Sequence, residues 1–107
     1  AALPVSVNKV PLDAAKGEYI MNISEDGVFV RMHKPPRRDE RVSIELNING
    51  RAVHAEAVVL HSRRIGEGTF RDPGMAVRFT TIDPETREAI RQFIHHEVTS
   101  GIPAENG

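Results

Sequence analysis

The sequence predicts an all-β domain of about six antiparallel strands followed by one C-terminal α-helix. Three observations predict this class. Apolar residues recur at period two along several short segments, turn residues separate these segments, and one apolar pattern of helical spacing occurs near the end. Short antiparallel strands joined by tight turns favour a small barrel or sandwich, and we expect the helix to cover its open mouth or an edge.

Composition is consistent with one globular domain and narrows its chemistry. The chain has 107 residues, a net charge of −1 and no cysteine, which excludes disulfides and thiolate zinc sites. One Tyr, four Phe and no Trp leave little aromatic surface for base stacking, so we expect no nucleic-acid partner. No apolar run approaches the ~20 residues of a membrane span. Without such a run or a signal-peptide pattern, we expect no membrane insertion and a cytoplasmic location.

The N-terminal third predicts three strands. Residues 3–10 carry Leu3, Val5 and Val7 at period two, residues 18–23 are extended, and residues 28–32 form a returning strand. The segment SEDG turns the chain between the last two, and we expect positive φ at its glycine, Gly27. Residues 33–40 contain two prolines and are expected to form a loop.

The centre of the chain predicts a β-hairpin and fixes its register. Four apolar residues alternate with polar ones before Asn49 and Gly50, a dipeptide typical of two-residue hairpin turns. With that turn, the expected pairs are Ile48 with Arg51, Leu46 with Val53, Ile44 with Ala55, and Val42 with Ala57. Alternation then breaks at residues 58–60, which predicts either a bulge or burial of both faces there.

The last strand and the helix complete the fold. Residues 74–79 place Met75, Val77 and Phe79 on one face of a strand. Asp83 is a candidate helix N-cap, and Pro84 fits the first helical position. The apolar stripe of the helix comprises Ala89, Ile90, Phe93, Ile94 and Val98. We expect the domain to span residues 1–99 and residues 100–107 to form a flexible tail.

The motif NISEDG at residues 22–27 is the main candidate site. Asn22 and Ser24 lie two residues apart, so on an extended strand their side chains point the same way. Beside the turn at Gly27 they would form a small polar ledge that can hold an anionic or nucleotide-like ligand. The alternative is plain turn chemistry, in which these side chains bond to the nearby backbone.

These segments together resemble the PilZ domain family. The resemblance rests on NISEDGVFV at residues 22–30 and GMAVRF at residues 74–79, with the hairpin and the capped helix in the expected order. It implies a six-stranded β-barrel that binds cyclic di-GMP, a bacterial second messenger, as a ligand rather than a cofactor. Asn22, Ser24 and Gly27 match the family's (D/N)-x-S-x-x-G ligand motif. The other ligand motif, R-x-x-x-R, precedes the first strand.

The arginine motif has no match in this sequence. Aligning the first strand places its second arginine at about Ala2 and its first before residue 1, and the first arginine of the chain is Arg31. A bidentate arginine contact contributes ~1–3 kcal/mol, so losing two would cost ~2–6 kcal/mol of binding. We therefore expect weak or absent cyclic di-GMP binding and a regulatory role through protein contacts in motility, pili or surface behaviour. The alternative is a functional receptor whose arginines lie outside this sequence.

Other chemistry is less favoured. Arg37, Arg38 and Arg41 form a basic cluster that is either a solvated loop or a patch for a protein or anion, which could replace the missing arginines. The histidines lack ligand spacing, so we expect no metal site. No nucleophile and base can be paired from the sequence, so we expect no enzymatic activity. Oligomeric state is left open.

Overall fold

The structure, a computed structural model, describes residues 3–64 and 73–101, excepting the side chains of residues 97–101. In this part of the chain seven strands form one antiparallel sheet in the order β2-β1-β5-β6-β7-β4-β3. The strands are β1 Val5–Val7, β2 Val10–Pro11, β3 Tyr19–Ile23, β4 Gly27–Arg31, β5 Arg41–Ile48, β6 Arg51–Arg63 and β7 Gly74–Ile82. A short 3-10 helix spans Ala14–Lys16, and α1 spans Pro84–Gly101.

The predicted class is confirmed, with one strand more than expected. The first predicted strand divides at Asn8 and Lys9, whose φ angles of 51° and 70° form a tight turn. Residues 10–11 therefore fold back and pair with residues 6–7. Asn-Lys is not among the usual hairpin dipeptides, so the sequence pattern gave no sign of this turn.

The central hairpin has the predicted register. Ile48 lies opposite Arg51, and the pairing continues without a shift to Arg41 opposite Val58. Asn49 and Gly50 have φ angles of 55° and 81°, as a two-residue turn of this type requires. The expected irregularity near residues 58–60 is a bulge in the pairing of β6 with β7, where Leu60 is the extra residue. Leu60 follows the buried Val59 and faces away from the core, where it is 40% exposed.

One face of the curled sheet carries the core, and α1 packs against it. The buried strand residues are mostly Val, Ile, Leu and Ala at alternating positions, including Val30, Ile44 and Val59. From the helix, Ile90 is fully buried in this core, with Phe93 and Ile94 packed at its border. The helix contacts β5 and β6. Because β6 is the middle strand of the sheet, α1 covers the centre of the core face.

The helix begins with the predicted cap. The Asp83 Oδ1 atom accepts a hydrogen bond from the Thr86 N–H at 2.9 Å. This bond to Thr86 is the main cause that lowers the pKa of Asp83 below its ordinary value of 3.8. Arg51 at the hairpin end pairs with Glu85 at 2.6 Å. Residues 65–72 and 102–107, the latter most of the expected tail, lie outside the described residues.

Replacing Asp83 with Ala is expected to lower the melting temperature by roughly 3–8 °C, because the Thr86 N–H loses its acceptor. Asp83→Asn is the matched control, since it keeps an acceptor and should retain most of the stability at pH 7. Because the pKa of Asp83 is lowered on folding, its charge stabilises the fold above pH 3.8, and this contribution is lost as the pH falls through the lowered value. Equal melting temperatures of wild type and Asp83→Ala would contradict the cap.

Candidate functional site

The NISEDG turn is built by its own hydroxyl group. The Ser24 Oγ atom accepts hydrogen bonds from the N–H groups of Asp26 and Gly27, each at 3.2 Å. The Ser24 N–H donates to the Gly27 carbonyl at 2.9 Å, and the Asp26 carbonyl accepts from the Phe79 N–H at 2.8 Å. Ser24 therefore performs the turn chemistry that the sequence offered as the alternative to a ligand role.

Gly27 is required for a reason other than the predicted one. The prediction of positive φ at Gly27 is wrong, because it is the first residue of β4 and is absent from the positive-φ glycines. A Cβ atom at this position would overlap the carbonyl oxygen of Val77 on the neighbouring strand β7. The close approach of two backbones, rather than a left-handed turn, therefore selects glycine here.

A shallow groove of about 310 Å³ brings the three predicted residues together. Its lining comprises Asn22, Ser24, Asp26, Gly27, Val28, Phe29, Leu60, Ala76, Val77 and Arg78. Asn22 lies opposite Phe29 in the β3–β4 pair, after a bulge at Met21. The residues of the predicted ledge thus line an open groove on the face of the sheet opposite the core.

The arginine at this groove is one that the sequence interpretation missed. Arg78 is exposed and lines the groove from β7. Its position follows from the strand pattern that the sequence already showed, because residues 75, 77 and 79 face the core and residue 78 must face away. The alternation could have predicted that Arg78 faces away from the core. Placing Arg78 beside the motif also requires the pairing of β4 with β7.

The predicted basic cluster lies elsewhere. Arg37 and Arg38 are exposed in the loop before β5, and Arg41 begins that strand opposite Val58. The Arg37 N–H donates to the Glu40 carboxylate at 2.6 Å, which closes a local turn. None of the three arginines lines the groove. In this structure they are therefore not positioned to replace the missing arginines.

Two helix arginines hold the turn from the other side. The Arg91 Nη2 atom lies 3.0 Å from the Glu25 carboxylate, and Arg87 donates to the Glu25 carbonyl at 3.2 Å. Arg87 also lies 3.9 Å from the Asp26 carboxylate. The hydrogen bond from Arg91 lowers the pKa of Glu25 below its ordinary value of 4.5 and, reciprocally, raises the pKa of Arg91. The turn is therefore anchored to α1.

One serine and one histidine meet on the sheet surface, but not as a catalytic triad. Ser43 Oγ lies 2.7 Å from His54 Nε2, and the Glu56 carboxylate lies 3.1 Å from the same nitrogen. A triad needs the hydroxyl and the carboxylate on opposite ring nitrogens, so that the acid orients the base. Here both oxygen groups compete for one nitrogen at an exposed position.

Among the described residues, neither a metal-binding group nor a membrane-spanning helix is found. Within residues 3–64 and 73–101, no group of three His, Asp or Glu side chains is placed to hold a metal ion. In the same ranges no helix is long and apolar enough to cross a membrane.

Comparison with known proteins identifies the family. Residues 3–96 match the PilZ domain family. This chain belongs to the PilZ domain family. PilZ domains bind cyclic di-GMP as a ligand, and the groove with Asn22, Ser24 and Gly27 is the part of this PilZ domain that carries the corresponding motif. No curated protein sequence matches the chain.

A solved structure supports the fold. The PilZ domain is similar to the Bacillus subtilis inhibitor of motility MotI/DgrA, with a TM-score of 0.71 and 18% sequence identity. The match covers 94% of this chain and 48% of MotI, so this chain spans about half of that protein. At this identity the likeness concerns the fold.

Replacing Gly27 with Ala is expected to cost about 3 kcal/mol or more of unfolding free energy, because the overlap involves backbone and no side chain can rotate away. Gly50→Ala is the control. Its Cβ has nothing within 4 Å, so only its φ of 81° is strained, at about 1 kcal/mol. Chemical denaturation measures both variants. Equal losses for the two would show that close approach is not the reason for Gly27.

Replacing Glu25 with Gln is expected to loosen the turn at pH 7, seen as faster amide hydrogen exchange at Asp26 and Gly27. The lowered pKa of Glu25 means that its pairing stabilises the fold above pH 4.5 and is lost as the pH falls through the lowered value. The difference from wild type should therefore vanish in acid. Glu88→Gln, which removes the other carboxylate beside Arg91 within the helix, should leave these amides unchanged.

Proposed function

We propose that this PilZ domain is a non-catalytic regulatory module that acts mainly through contacts with a protein partner and binds cyclic di-GMP weakly or not at all. The observation that carries the proposal is a formed groove for which this sequence contains no match to the family's R-x-x-x-R motif. Asn22 and Ser24 stand at its rim, yet the first arginine of the chain is Arg31.

The physical reason lies in the charge of the ligand. Cyclic di-GMP carries two phosphates, and arginine supplies forked donors to phosphate oxygens and to the guanine edge. Two absent bidentate contacts weaken binding by ~2–6 kcal/mol. In the described lining of the groove, Arg78 supplies one full positive charge where the family's motif supplies two. A bacterial cytoplasmic role in motility, pili or surface behaviour is part of the proposal, supported by the family and by the fold shared with an inhibitor of motility.

The basic cluster is the proposed contact surface. Arg37, Arg38 and Arg41 are exposed, lie close together in sequence, and have no part in the groove. Arginine is enriched at protein interfaces because it combines a charge with a planar, weakly hydrated group. The cluster therefore fits an acidic surface on a partner.

A second candidate function is a full cyclic di-GMP receptor whose arginine pair is supplied from outside this sequence. The observation that favours it is the groove itself, which is lined by all three motif residues. The two functions differ in the affinity of the full-length gene product, because only there could residues outside this sequence supply the arginines.

Calorimetric titration of the full-length gene product with cyclic di-GMP is expected to give a Kd above about 10 μM, equivalent to a binding free energy weaker than about −7 kcal/mol. A tighter Kd would refute the weak-binding part of the proposal and favour the receptor.

The partner contact is tested by pull-down from a lysate of the source bacterium. Changing Arg37, Arg38 and Arg41 to Glu is expected to abolish capture of partners that the wild type retains. Arg78→Glu, a charge reversal in the groove, is the control and should capture them normally. If the triple variant retains every partner, the cluster is not the contact surface.

A further inference from the structure

The arrangement of three neighbouring strands defines what the groove offers a ligand. Residues that lie directly opposite each other in an antiparallel pair point to the same face. Gly27 of β4 lies opposite Arg78 of β7, and Phe29 of β4 lies opposite Ala76 of β7. These side chains therefore stand together on the face away from the core, one row apart.

The groove has a small floor and apolar walls. Gly27 and Ala76 carry almost no side chain, so the sheet surface is accessible between the larger residues on either side. Phe29, which is half-buried, forms one wall, and Leu60 forms the other because it follows the buried Val59 on β6 and so faces away from the core. A planar ring can lie on such a surface against the aromatic side chain.

Two polar side chains of the groove are not bonded to other residues of the described fold. In the described part of the chain, Arg78 and Asn22 make no side-chain hydrogen bond or ion pair. Ser24, by contrast, is engaged in the turn. The carboxylate that lines the groove, Asp26, lies 3.9 Å from Arg87 of the helix, which partly offsets its charge. Arg78 thus presents a forked cation at the end of an apolar groove.

We propose that Arg78 is a ligand-contacting residue of this groove, where it binds a phosphate of a cyclic dinucleotide while a base lies against Phe29. The inference rests on the proposed function and deepens it, because it assigns the residual cyclic di-GMP affinity to a sheet residue outside both family motifs. Asn22 supplies the second contact, an amide that donates and accepts hydrogen bonds.

The test is a titration of 15N-labelled protein with cyclic di-GMP, followed by NMR into the millimolar range. The wild type is expected to bind with a Kd between about 10 μM and 1 mM, with shifts at the amides of residues 22–29 and 76–78. Arg78→Ala should weaken binding about tenfold or more, which is ~1.4 kcal/mol or more. Arg78→Lys keeps the charge without the fork and should recover part of the loss. Asn22→Ala should also weaken binding.

The controls separate this inference from loss of structure and from simple charge effects. Arg78 is exposed, so its variants should keep the wild-type melting temperature. Arg38→Ala removes an equal charge outside the groove and should bind as the wild type does. GMP, with one base and one phosphate, should bind at least about tenfold more weakly than the cyclic dinucleotide.

Three results would overturn the inference: no wild-type binding up to about 1 mM, unchanged affinity of Arg78→Ala, or equal affinity for GMP. Each leaves the partner contact of the basic cluster intact, because that surface is tested with different residues. Conversely, a Kd below about 10 μM would refute weak binding, and Arg78→Ala would still decide whether this residue touches the ligand.

Discussion

The pairing of β4 with β7 is the constraint on which both the fold and the groove depend. In the described sheet, the β3–β4 hairpin is attached to the rest of the strands only through β7. A glycine stands at each end of the paired segment, and a Cβ atom at Gly27 or Gly74 would overlap a backbone carbonyl of the opposite strand. Close contact at both ends therefore joins the two parts of the sheet. Gly27, at one end of this contact, also lines the groove.

The NISEDG turn is ordered by contacts within the protein. The Ser24 hydroxyl closes it internally, the Phe79 N–H holds the Asp26 carbonyl, and Arg91 holds Glu25 from the helix. Ligand binding would therefore cost little conformational entropy at this turn, because the turn is already ordered. The proposed weakness of cyclic di-GMP binding is then electrostatic in origin, because the site is preorganised but has few cations.

The sequence predicted most of the fold because its strongest patterns are local. Asn49-Gly50 fixed the hairpin register, and the Asp83-Pro84 pair fixed the helix start. The turn at Asn8 was missed because Asn-Lys is not a usual hairpin dipeptide, and because Asn8 is held there by hydrogen bonds with Ser43, which is distant in sequence. Gly27 was explained wrongly for a similar reason, since its neighbour Val77 is distant in sequence. The groove arginine, likewise, is brought to the motif only by the pairing of β4 with β7.

The residues that line the groove differ in how strongly they indicate that it binds a ligand. Ser24 and Gly27 have sufficient structural reasons to be present, because one builds the turn and the other permits the β4–β7 contact. A domain that had lost its ligand would still need both. Asn22 and Arg78 have no such structural role in the described residues, and their exposed polar groups make no internal bond. These two side chains, rather than the complete motif, therefore carry the information on whether the groove of this PilZ domain binds a nucleotide.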